Sequence, residues 1–431
     1  MARPALALAL ALLAGCMAGD GPQAGKAALA PGDPALVAPE LDRGGEVVSP
    51  LIAELESRRS VLPAGSAFGE VGASVLRAGA ASAEAELRVK RLIARARSRN
   101  WLPKIGPDVS LSSLGSIAAG LLLDQALFDN GRRKAERDFA AADVEVAAVT
   151  LASDLNNRVY DGLKLYIEAQ RAAELAAITD TALARMDEFE RIMRIRVDGG
   201  LSDGSEYRVI TQKQAEMRAT LSTEREGAAS ALAELNALAD RPLDALSGLT
   251  VLSPDAGGPE PLPVLLARGE AARTTAELRM ARAGLMPGLG ASAGMDIDGG
   301  IDGGLSLDGD GLGFGRKDSL RALEEGEEVA RRKVDEAARD ADRSIVALER
   351  EIAALTAEQA QGATVLAETE TNLTLFTEQY KAGRRTLIEL VGQFETLVAM
   401  RRDQATLKYR IAAARLEIAA LRGVLVDGAA M

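Results

Sequence analysis

There is no histidine in this chain of 431 residues. That absence removes the Ser/His nucleophile pair, the histidine general base and the imidazole metal ligand together. The only cysteine is Cys16, so a disulfide within the chain is excluded. Aromatic residues make up 3% of the sequence, and no proline follows Pro287, so nothing interrupts a helix over that stretch. Cations are in deficit: 51 Lys and Arg against 63 Asp and Glu leave a net charge of −12, which disfavours non-specific nucleic-acid binding. No constellation of residues supports catalysis, and none calls for a cofactor.

What is present is alanine and glycine arranged in two periods. Leu289, Ala291, Ala293, Met295 and Ile297 alternate with Gly290, Ser292, Gly294, Asp296 and Asp298. That is strand period. After Gly299-Gly300 the alternation resumes with Ile301, Gly303, Leu305 and Leu307, which predicts a hairpin. From Lys317 the period changes. Val334, Ala338, Ala341, Ile345, Leu348, Ile352 and Leu355 fall at steps of four and three, the spacing of a coiled-coil seam. About 65 residues at ~1.5 Å each predict a rod of roughly 100 Å. A turn at Gly383 reverses it, and Leu407, Ile411, Ala414, Ile418 and Leu421 repeat the seam on the way back.

The same object occurs earlier. Pro103 and Pro287 stand 184 apart, as do Gly131 and Gly315; Gly200 and Gly383 stand 183 apart, as do Asp240 and Gly423. Offsets this constant mark a duplicated unit. In the first copy Val109 and Leu111, then Ile117, Ala119, Leu121 and Leu123, carry the strand period. Arg132 to Val197 and Asp203 to Leu238 carry the helices, reversed at Asp198-Gly199-Gly200. Strands of roughly ten residues suit a tilted membrane strand; a soluble hairpin packed on a core is the alternative.

Leu102-Pro103, a strand hairpin, Phe128-Asp129-Asn130-Gly131-Arg132-Arg133, a long helix, Gly200-Leu201-Ser202 and a return helix recur in order, the second copy closing at Leu421-Arg422-Gly423. This duplicated set resembles the TolC-like outer membrane efflux factors over residues 66 to 424. The resemblance implies a mainly α fold with membrane β: a strand hairpin plus a long helical hairpin, duplicated. Three chains would form a 12-stranded β-barrel continued by an α-helical periplasmic tunnel. It implies an outer membrane exit duct of a tripartite efflux or type I secretion system, passively conducting its cargo. Its partners would be a periplasmic adaptor and, through it, an inner-membrane pump. A non-conducting periplasmic coiled-coil scaffold or adaptor lipoprotein is the alternative.

The expected organisation is a lipoprotein signal peptide over residues 1–16, a flexible tether over 17–45 and a first repeat over 46–240. A connector over 241–261, a second repeat over 262–423 and a mobile tail over 424–431 follow. Arg3, the apolar run Leu6 to Leu13 and Leu13-Ala14-Gly15-Cys16 read as an export signal. Small residues before Cys16 resemble a bacterial lipobox, implying lipidation of Cys16 and anchorage to outer membrane lipid; an ordinary signal peptide with an incidental cysteine is the alternative.

By resemblance, Gly199, Gly200, Leu201 and Ser202, with Gly383, Arg384, Thr386 and Leu387, form tips that dock the adaptor; a plain helical turn is the other reading. Glu389 and its repeat equivalent Glu206 match an aperture carboxylate at the periplasmic entrance, against the reading of a solvated surface charge. Gly392 stands where a further aperture acid is expected. Asp296 to Asp302 and Asp308 to Gly311 lack the glycine and terminal Glu of a calcium loop, so no metal is expected; acids on the lumen face of strands account for them.

Overall fold

A computed structural model of the chain describes residues 39–42, 44–79, 81–111, 117–253, 258–296, 300–308 and 315–430. Cys16, the export signal, most of the tether, the turn glycine Gly299 and residues 309–314 lie outside them. Within the described part, β1 (Glu40–Leu41), in what was expected as tether, pairs antiparallel with β2 (Val47–Val48), at the start of the expected first repeat. Two short helices, α1 (Pro50–Ser57) and α2 (Ala67–Arg77), follow. Ser49 and Ser66 cap them, each accepting from a backbone N–H three residues on. Helix α3 (Ala81–Arg97) then leads to β3 (Lys104–Leu111) and β4 (Ile117–Phe128).

The two expected rods are continuous helices. Helix α4 (Arg132–Asp198) has 67 residues and returns as α5 (Gly204–Leu238) with 35. After the connector, α6 (Leu262–Gly284), β5 (Gly288–Asp296) and β6 (Ile301–Asp308) precede the second rod, α7 (Arg316–Lys381), with 66 residues, and its return α8 (Leu387–Leu421), with 35. The matched lengths are the duplication made physical. The seam is in place: Leu355 packs with Leu407 and Ile411, and Ile352 lies against them.

The helices meet in one main core. Tyr166 and Phe68 pack edge to face, centroids 6.0 Å apart at 89°, and the Tyr166 hydroxyl donates to the Gly248 carbonyl at 2.9 Å. Val71, Val75, Leu151, Val159 and Leu163 close around them. Many buried positions of α4 are alanines, among them Ala141, Ala148, Ala152, Ala169 and Ala172. Small side chains let neighbouring helices approach the central rod closely.

The tail after Gly423 departs from expectation. Val424, Leu425 and Val426 are buried in the main core, and Leu425 N–H donates to Asn156 Oδ1 at 2.9 Å. Val61 N–H donates to the Val424 carbonyl at 2.8 Å. Three consecutive apolar residues are an anchor, and burying them fixes the C-terminal end of the described chain to α4.

Candidate functional site

Two regions carry the candidate residues: the sheet and the helical turns. The sheet is a single antiparallel four-stranded sheet in the order β3-β4-β5-β6, not two separate hairpins. The copies join where β4 pairs with β5, with Leu121 opposite Met295 and Leu123 opposite Ala293. A bulge near Ala126 lets Phe128 face Leu289.

Register sorts the side chains. Leu121, Met295 and Ile301 share one rung, Ile105, Leu123 and Ala293 another, and Leu289 and Leu307 a third, all on one face. The opposite face carries Lys104, Asp124 and Ser292 on one rung, with Asp302 on the next rung to one side and Ser306 on the next to the other. Leu122 and Ala126 are apolar exceptions there. Among the described residues nothing covers the apolar face: Ile301 is 70% exposed, Leu305 73% and Leu307 79%. A soluble sheet covers such a face. Among the described residues, strands β3 and β6 each leave one edge without a partner.

At the far ends of the rods, the two turns share one backbone. Leu201 N–H donates to the Arg196 carbonyl at 2.7 Å and Gly200 N–H to the Val197 carbonyl at 3.0 Å. In the second copy Arg384 N–H reaches Gln379 at 2.9 Å and Gly383 N–H reaches Tyr380 at 2.9 Å. This is the Schellman closure, which needs a left-handed residue; Gly200 and Gly383 both sit at φ 71°. Gly199 and Ala382 are the respective C-caps.

The chemistry on that shared backbone differs. Where the first turn has Asp198, Leu201 and Ser202, the second has Lys381, Arg384 and Arg385. Leu201 is 72% exposed, while Ser202 accepts from Arg196 Nε at 3.1 Å. Arg385 lies over the Phe376 ring at 4.6 Å and donates to Glu389 Oε1 at 2.9 Å. Arg384 is exposed and has no ion pair among the described residues.

Two expected site residues hold local structure. Leu387 is buried, in a cluster with Met186, Phe189, Met193, Ile210 and Leu390, where Phe189 and Phe394 stack edge to face at 5.5 Å. It binds the two turns to each other, so it offers no surface to a partner; the expectation of a contact at Leu387 is corrected. Thr386 is exposed but works as the N-cap of α8 in a capping box, Glu389 N–H donating to its Oγ1 at 3.2 Å and Thr386 N–H to Glu389 Oε2 at 2.9 Å. The Thr386 N–H, together with Arg385, holds the Glu389 carboxyl below its usual range. Glu206 occupies the matching position of α5, where Asp203 is the cap and accepts from Ser205 N–H at 3.1 Å. The Glu206 carboxylate has no such partner among the described residues.

This geometry has counterparts among solved structures. The chain matches the outer membrane protein VceC of Vibrio cholerae with a TM-score of 0.70 at 17% identity, covering 87% of this chain and 96% of that one. It matches the CmeC outer membrane channel of Campylobacter jejuni with a TM-score of 0.70 at 11% identity, over 84% and 86%. The open-state MtrE outer membrane channel of Neisseria gonorrhoeae gives 0.64 at 15%, over 91% and 97%. The fold is the TolC-like outer membrane channel fold. No family model and no curated protein matches the chain. In the channel fold shared with these neighbours, the sheet and the two turns lie at opposite ends of the long rods.

Proposed function

We infer that three copies of this chain close a 12-stranded barrel in the outer membrane, and that the helical rods continue it as a tunnel into the periplasm. The protein is then a passive exit duct of a tripartite efflux or type I secretion system. It breaks no bond and needs no cofactor. One observation carries this reading: a four-stranded sheet with a bare apolar face and two unpaired edges. Hydrocarbon covers the face but cannot satisfy an edge. Pairing β6 of one copy with β3 of the next removes every edge, which four strands cannot do alone. Strands β3, β5 and β6 have 8, 9 and 8 residues. At ~3.3 Å per residue and ~40° of tilt they span about 20–25 Å, close to the apolar band of outer membrane barrels. The likeness to outer membrane channels supports the location.

Lipidation at Cys16 belongs to this proposal, since several acyl chains would add a firm anchor. The mass of detergent-extracted protein, corrected for bound detergent, tests both. A trimer with acyl mass on each chain is expected; a monomer over a wide concentration range would sink the duct and favour the scaffold.

The turn residues Gly199, Gly200, Leu201, Ser202, Gly383 and Arg384 are proposed to meet the adaptor, with the pump acting through it. Leu201→Arg is expected to abolish co-purification of the adaptor while leaving the protein level unchanged. Normal co-purification would remove the docking role. Glu206 and Glu389 are proposed to line the periplasmic aperture, with unequal weight, because Arg385 already answers the Glu389 charge. In planar bilayers Glu206→Gln should lower cation preference more than Glu389→Gln; equal effects would count against this ranking.

A further inference from the structure

The chain is acidic as a whole, with a net charge of −12, yet cations gather where helix gives way to sheet. Arg99 precedes β3, Arg132 and Lys134 open α4 just after β4, Arg282 lies two residues before the end of α6, and Lys317 is the second residue of α7. All five belong to the same end of the sheet, because β4 ends and β5 begins there in register. The junction is tied: Asn130 Nδ2 donates to the Pro287 carbonyl at 2.9 Å and Asn100 Nδ2 to the Arg133 carbonyl at 2.9 Å. Arg132 meets Glu136 at 3.6 Å, whereas Arg99, Lys134, Arg282 and Lys317 form no ion pair among the described residues.

At the same level lie apolar side chains with nothing to pack on. Trp101, the only tryptophan of the chain, is 60% exposed, and Leu102, Leu127 and Phe128 are exposed beside it. An amphipathic ring next to a bare apolar sheet face is what a membrane–water boundary stabilises. Cations placed just outside that boundary meet phosphate groups at the bilayer surface.

We propose that this junction is a collar that binds anionic phospholipid headgroups and sets the depth of the sheet in the bilayer. The inference rests on the membrane reading of the sheet. Phosphate is the shared chemistry of headgroups and free anions; the neighbouring apolar ring selects the headgroup, because it presents the cations to a surface and not to open water. Each cation near an anionic surface contributes on the order of fivefold in local binding.

Trp101 is its own reporter. The full-length protein is reconstituted into vesicles of phosphatidylcholine with a minority of phosphatidylglycerol, one lipid or the other carrying brominated acyl chains that quench tryptophan. Brominated phosphatidylglycerol is expected to quench Trp101 beyond its mole fraction, at an apparent local enrichment of about fivefold. The excess should vanish in the combined variant Arg99→Gln, Lys134→Gln, Lys317→Gln. Quenching by brominated phosphatidylcholine should persist there, which shows that the variant is folded and inserted. Quenching by both lipids at their mole fractions would overturn the collar and leave the membrane reading standing. An excess that survives in the variant would overturn it too, as would one abolished by inorganic phosphate at matched ionic strength. Quenching by neither lipid would remove the sheet from the bilayer and the collar with it.

Discussion

Arg58→Met is expected to destabilise the protein by about 3 kcal/mol, the cost of leaving one buried and one half-buried carbonyl without this donor. Arg58 is 5% exposed and ends α1. Its Nη1 donates to the Arg422 carbonyl at 2.8 Å, and its Nη2 to the Glu260 carbonyl at 2.7 Å and to Glu54 Oε1 at 2.9 Å. Its own carbonyl accepts from Gly428 N–H at 3.0 Å. The guanidinium thus ties α1, the end of α8 and the connector before α6, and the backbone carbonyl of the same residue adds the tail. Methionine fills much of the volume and supplies no donor. Arg58→Lys keeps the charge but loses the fork that reaches two carbonyls at once, so its loss should fall between methionine and wild type. Denaturation midpoints of the three proteins check the order. Limited proteolysis between α1 and α2 should quicken in parallel, since the hydrogen bonds from Arg58 hold this segment down. A lysine variant no better than methionine would show that geometry, not charge, does all the work.

The elements legible in the sequence were those with long, regular periods. The seam from Ala341 to Leu355 and its return from Leu407 could be read because helical burial repeats every three to four residues, and the duplicated turn because only glycine suits the left-handed closure at Gly200 and Gly383. The alternation in β5 and β6 gave the two faces, since strand register conserves it. Other features were hidden for physical reasons. The β4–β5 pairing is a contact between residues more than 150 apart, which no local pattern encodes. Helix α2, carrying Phe68 and Val71, is short and lies just after Pro63 and Gly65, which read as interruption. Val424-Leu425-Val426 was legible as an apolar triplet, but its position at a chain end favoured a mobile tail. The candidate turn shows the same division. Thr386-x-x-Glu389 is a capping-box pattern that could have been found from sequence. The burial of Leu387 could not, because it depends on Met193 and Ile210 from the other copy.

A buried acid in the main core gives the second large effect. Glu145, on α4, is 3% exposed and accepts a hydrogen bond from Ser49 Oγ, the residue that caps α1. Burial pushes its carboxyl up to about 7, with the Ser49 hydrogen bond opposing the shift. In the unfolded chain the group titrates near the ordinary value of 4.5. Below that value both states are protonated and folding is not penalised. As pH rises from 4.5 towards about 7, the unfolded state ionises first and stability falls; above it both are ionised and the loss is complete. Glu145→Gln keeps an oxygen to accept from Ser49 and removes the charge. It should therefore raise stability by about 2–3 kcal/mol at about pH 8 and by little at about pH 4. Thermal midpoints of wild type and variant across this range check it. Curves that stay parallel would mean that Glu145 ionises without cost inside the core, and that the packing around Ser49 admits water.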